Sequence, residues 1–113
     1  MIQDWLNWVP GSLLSNPAGG AVLVDTGPLE GGRYLLAVLG AGSVAWTYDL
    51  QHRTAANTAN VASQRRRPAA GNDEVLFPNK LLLSANERLR CELVGAIVGE
   101  VQMSIFYYRV GLP

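Results

Sequence analysis

The two stretches that decide the fold are residues 87–96, ERLRCELVGA, and residues 98–110, VGEVQMSIFYYRV. Both alternate in steps of two, the period at which successive side chains leave opposite faces of a pleated strand. In the first, Leu89, Cys91 and Leu93 point one way and Arg88, Arg90 and Glu92 the other, so one face is dry and one wet. In the second, Val101, Met103, Ile105 and Tyr107 share a face, but the opposite one carries Phe106 and Tyr108 beside Gln102 and Ser104. A strand with bulk on both faces is expected to have neighbours on both sides, with its second face directed at another subunit. The glycines between the stretches, Gly95 and Gly99, are read as the corner of a hairpin.

Working outward, the same alternation appears at residues 43–53, where Val44, Trp46, Tyr48 and Leu50 share a face and His52 stands at its edge. Residues 54–60, TAANTAN, have no apolar stripe and are expected to cross between sheets as a loop before a strand resumes near Val61. Residues 74–77 and 80–84 form a strand broken by Pro78-Asn79, which marks an edge position or a bulge because proline donates nothing to a ladder. Residues 33–39 are apolar enough to be covered on both faces, and Gly40-Ala41-Gly42 reads as a corner after them. Residues 21–25 add a short strand. About seven or eight short strands follow, with no strand and helix rhythm, so the expected class is an all-β antiparallel sandwich, jelly-roll-like. The expected organisation is an N-terminal arm, residues 1–20, carrying Trp5 and Trp8, and a single sandwich domain over residues 21–113. Ile2, Trp5, Leu6 and Val9 could line one turn of helix in that arm, which Pro10 and Gly11 would end.

Composition narrows function mainly by exclusion. Of 113 residues 49% are hydrophobic but only 16% charged, against about 25% in ordinary soluble domains, so something besides water is expected to cover part of the surface. Nine basic and nine acidic side chains cancel, leaving no net field toward nucleic acid or an anionic membrane. No run reaches the roughly 18 apolar residues of a membrane helix, and no export signal opens the chain. Cys91, the single cysteine, allows no intrachain disulfide and reads as packing.

Catalytic signals are similarly thin. His52 is the only histidine, and Asp49, three positions away, leaves a strand on the opposite face, so the sequence offers it no partner. No serine sits in a nucleophile elbow, no glycine motif cradles phosphate, and the acids are scattered. No catalytic residue, metal, cofactor or small-molecule substrate is expected. The one charge run, Arg65-Arg66-Arg67, is too short and too isolated for nucleic acid, and is read as a protein contact or solvated surface.

Three segments, MIQDWLNWVP, SVAWTYDLQHRTAANTANVASQ and NERLRCELVGAIVGEVQMSIFYYRV, give the chain a design that resembles the small decoration or cement proteins of tailed-phage capsids. The resemblance implies a compact jelly-roll subunit made in the host cytoplasm and placed on the virion surface, typically a homotrimer on the lattice of a major capsid protein. Under it, the contact residues would be Trp5 and Trp8 toward the shell, Phe106 and Tyr108 around the threefold axis, and Arg65, Arg66 and Arg67 as charged support. Three other readings are a head-completion or tail component, an unrecognised hydrolase, and a carbohydrate- or receptor-binding module of a tail fibre. The last would use Trp46, Tyr48 and the Asn57–Asn60 loop.

Overall fold

The computed structural model describes residues 7–112, apart from the side chains of residues 78 and 79. Among the described residues nine strands are formed: β1 (Asn7–Pro10), β2 (Leu14–Ser15), β3 (Val22–Asp25), β4 (Gly32–Gly42), β5 (Tyr48–Arg53), β6 (Asn60–Arg66), β7 (Gly71–Leu83), β8 (Arg88–Leu93) and β9 (Glu100–Gly111). They make two antiparallel sheets. The front sheet runs β1-β9-β4-β7, with β2 also on β9, and the back sheet runs β3-β8-β5-β6.

The pairing has a simple rule. β1 and β2 pair with β9, β3 with β8, β4 with β7, and β5 with β6, so the chain behaves as one long antiparallel hairpin wrapped over itself. Two further pairings, β4 with β9 and β5 with β8, join the wrapped turns. With β1 and β2 taken as one interrupted strand this is the eight-stranded winding of a jelly roll.

The pattern that predicted strands also fills the core. β8 alternates half-buried and buried along its whole length, placing Leu89, Cys91 and Leu93 inside. Val101, Met103 and Ile105 of β9 meet them from the front sheet, fully buried. In β3 both Leu23 and Val24 are buried, because a register shift between Val22 and Val24 lets consecutive side chains turn inward. β7 is an edge strand, and residues 78–80 stand against Leu35 alone, so Pro78 falls in a bulge.

Four expectations are corrected. Residues 95–99 do not close a hairpin: β8 lies in the back sheet and β9 in the front, so the corner carries the chain from one sheet to the other over the surface, with Val98 86% exposed. Two dry faces in succession look the same in sequence whether their strands pair or face each other. The Gly40-Ala41-Gly42 corner is instead the end of β4. There glycine is required by close approach, since a Cβ at Gly40 would lie 2.4 Å from Met103 Sδ and one at Gly42 2.5 Å from Cε3 of Trp46. Within residues 7–15 Trp8 pairs with Phe106 and Leu14 with Val101, while half-buried Val9 and Leu14 pack on the core. Val9 is strand, not helical turn, and the rest of the suggested turn, with Trp5, lies outside the described residues. His52, lastly, is a buried residue of β5, a strand flanked on both sides.

One polar cluster ties the sheets together. Tyr48 of β5, with no exposed surface, donates its hydroxyl to Asp73 Oδ2 of β7 at 2.8 Å, and Arg66 of β6 forks onto both carboxylate oxygens at 3.0 and 2.9 Å. The Arg66 fork holds the Asp73 carboxyl below the usual aspartate range against the opposing effect of burial, and the Tyr48 hydroxyl adds to the lowering. A carboxyl depressed in the native state stabilises the fold above its unfolded value, about 3.9, and that contribution is lost as pH falls through the lowered native value. Between about pH 3.9 and that lowered value, acid destabilisation should therefore be less steep for Asp73→Asn, as followed by circular dichroism. Tyr48→Phe should lower stability by about 1.5–3 kcal/mol in urea titrations, the range for a hydrogen bond to a charged partner.

Candidate interaction surface

The outer faces of the two sheets differ in kind. On the back sheet, charges and amides bond to one another: Arg65 forks onto Asp49 at 2.8 and 3.1 Å, Arg90 reaches Glu92 at 2.9 Å and Gln51 at 3.2 Å, and Arg88 meets Asp25 at 3.5 Å. Arg53 holds the next loop by bonds to the side chains of Asn57, 2.5 Å, and Asn60, 2.9 Å. Such a face satisfies most of its polar groups within its own sheet, although Nε of Arg88 is buried without a hydrogen-bond partner.

The front face carries an apolar row, flanked on one side by Ser104 and Glu74. Register places Trp8, Phe106, Ala37 and Leu76 in one row across β1, β9, β4 and β7. Because Val9, Ile105, Val38 and Val75 turn inward beside them, this row turns outward. Trp8 stacks on Phe106 with ring centroids 6.3 Å apart and planes 14° from parallel, yet remains 61% exposed; Leu76 is 73% exposed. Ala37 is the short member, and over it the surface sinks into a hollow of about 370 Å³ bordered by Phe106, Leu76 and Leu39, with Glu74 at one side. Tyr108, half-buried and opposite Leu35, extends the patch along the next row. Contiguous apolar surface of this kind on a small domain marks a contact with another molecule.

Of the residues singled out in sequence, the structure brings Trp8, Phe106 and Tyr108 onto one face, whereas Trp5 lies outside the described residues. Arg65 and Arg66 are each committed to an aspartate of their own chain. Arg67, past the end of β6, is exposed and has no ion pair among the described residues. Leu39, Leu76 and Ala37 were missed, because β4 reads in sequence as covered on both faces and its outer face is open. The signal was present in the unbroken apolar run of residues 34–39, which fits an interface as well as a core. The aromatic platform of a sugar site is contradicted: Trp46 and Tyr48 belong to the core, 3% and 0% exposed.

Compared with known proteins, the chain matches no family model and no curated protein.

Two buried groups could have carried chemistry. His52 Nε2 lies 2.9 Å from Glu87 Oε1, which also accepts the Ser84 N–H at 2.6 Å. Burial pushes the Glu87 carboxyl up, but the bonds from His52 and Ser84 outweigh it and the net is a lowered value. This partner was invisible in sequence because it is separated by 35 positions and arrives on the turn before β8. Cys91 is buried without exposed surface, and burial pushes its thiol up to about 12. No group of three or more possible metal ligands occurs among the described residues. A thiol reagent at mildly alkaline pH should leave Cys91 unmodified in the native protein and react in concentrated guanidinium; rapid native-state labelling would contradict this packing.

Proposed function

We propose that this protein is a non-enzymatic structural subunit of a tailed-phage virion, one that decorates or cements the capsid as a homotrimer seated on the lattice of the major capsid protein. The observation that carries the assembly role is the outward row Trp8, Phe106, Ala37 and Leu76, set on one face of a sandwich whose other face is laced with ion pairs. Burying apolar surface is worth about 25 cal/mol per Å², and a partner covering this face would supply the water exclusion that the monomer lacks.

The virion setting is supported by the resemblance of the three sequence segments and by the jelly-roll winding, an architecture used by capsid and lectin domains. Fold alone does not fix the role. Stacking on Phe106 makes Trp8 part of the same surface as the closing strand, so threefold packing and the shell grip are not separate devices here. One continuous face serves the subunit contact.

Light scattering on a size-exclusion column should give the mass of a trimer for the intact chain. Leu76→Asp and Phe106→Ser should shift that mass to a monomer that still unfolds cooperatively, at a midpoint lowered only by the lost association, because both positions lie outside the core. The intact chain should co-sediment with capsids built from the major capsid protein of the same virus, and the two variants should not. A monomer at all concentrations that fails to co-sediment would overturn this reading.

A further inference from the structure

The two sheets have four edges, and three of them carry features that discourage another strand. The β1/β2 edge is interrupted between Pro10 and Leu14 and carries Pro10 itself. β3 has four residues and a register shift. β7 is bulged opposite Leu35, with Pro78 in the bulge. β6 differs: it has seven residues, Asn60–Arg66, no proline or glycine, and every residue but Arg66 exposed. Its register against β5 shifts once, at Val61, and residues 62–66 are regular. Among the described residues it pairs only with β5, so its other row of backbone donors and acceptors has no strand partner. An edge with a regular run of this length and no proline is a template for strand addition.

A cleft opens beneath this edge. It measures about 340 Å³, lies between β6 and β7, and is mainly apolar: Leu36, Leu50 and Leu89 form its floor and Phe77, Leu81 and Ala62 border it, with His52, Gln64 and Lys80 as its polar lining. Register puts Ala62 and Gln64 opposite His52 and Leu50, so these two face inward beside Arg66, which is held by Asp73, and both remain exposed because nothing among the described residues covers them. Past the C-terminal end of β6 a second hollow of about 280 Å³ is lined by Arg67 and by Trp46, whose buried Nε1–H has no hydrogen-bond partner.

These features together select the occupant. A second copy pairing through its own β6 would present only Ala62 and Gln64 to the cleft, too small and too polar to fill an aliphatic and aromatic lining. We propose that β6 accepts an extended segment of an unlike protein as a fifth strand of the back sheet. That segment carries bulky apolar side chains at alternate positions, which enter the cleft, and an acidic side chain at the end beside Arg67. The inference stands on residues remote from the front face and does not depend on the capsid reading.

The test is selection of a displayed library of random short peptides against the intact chain. Enriched peptides should alternate large apolar with polar residues, end in aspartate or glutamate, and protect the amides of residues 60–66 from hydrogen exchange. Ala62→Trp, which fills the cleft mouth, and N-methylation of alternate peptide amides should each weaken binding by about tenfold or more, equivalent to about 1.4 kcal/mol. Selection against Arg67→Gln should keep the apolar alternation and lose the acidic end. If Ala62→Trp fails to fold, the methylated peptides decide the matter on the unaltered protein. Absence of enrichment, binders indifferent to methylation, or protection confined to the front face would overturn the proposal, as would spontaneous disulfide dimers of Ser63→Cys, which would name a second copy as occupant.

Discussion

Among the described residues the two sheets are joined across the interior by a single side-chain hydrogen-bond cluster, and the shape of the molecule follows from where it sits. Tyr48 and Arg66 approach from the back sheet and Asp73 from the front, beside the connection that carries the chain from β6 to β7. Everywhere else apolar contact alone holds the layers, a force without direction that tolerates separation at the margins. Near the cluster the edges of β6 and β7 are held together. Further along, toward Ala62 on one strand and Phe77 on the other, they part into the cleft. The cluster also fixes which side chains meet, because a buried phenol and carboxylate lose more by being misaligned than a leucine pair does.

Much of this was legible in the alternation of single strands. Leu89, Cys91 and Leu93, like Val101, Met103 and Ile105, are inside because a period of two leaves little choice once one face is wet. Pro78 likewise announced an edge and a bulge through its missing donor. What failed was everything that depends on which strand lies beside which. The hairpin expected at Gly95 and Gly99 is a crossing between layers, and the partners Glu87 for His52 and Asp73 for Arg66 come from other parts of the winding. The first fifteen residues misled for a different reason. Strands of four and two residues are too short to show a period, and Trp8, Pro10 and Gly11 obscure what little there is. Their register is imposed by β9.

The contrast between the two outer faces was half visible. The sequence showed Phe106 and Tyr108 on the wrong side of a strand, but the neighbours that make them a surface, Ala37 and Leu76, arrive from β4 and β7 through register. The polar back face was equally hidden, since Asp49 and Arg65 are sixteen positions apart and meet only across β5 and β6. Arginine runs in sequence suggest availability. Here two of the three guanidinium groups are already spoken for.

The wrapped pairing has a consequence for how the chain reaches this state. β9 lies between β1 and β4 in the front sheet, so that sheet cannot be completed until the last of the nine strands has been synthesised. Until then the edge of β4 stands unpaired along the core residues Leu36 and Val38, and β1 has no strand to join. Folding must wait for distant pairings whose loop-closure cost comes before their reward, which places such chains on the slow side of small domains, in about milliseconds to seconds. On the ribosome the nascent chain is a half-built sandwich with an open, sticky seam, and its safety rests on how soon the closing strand emerges.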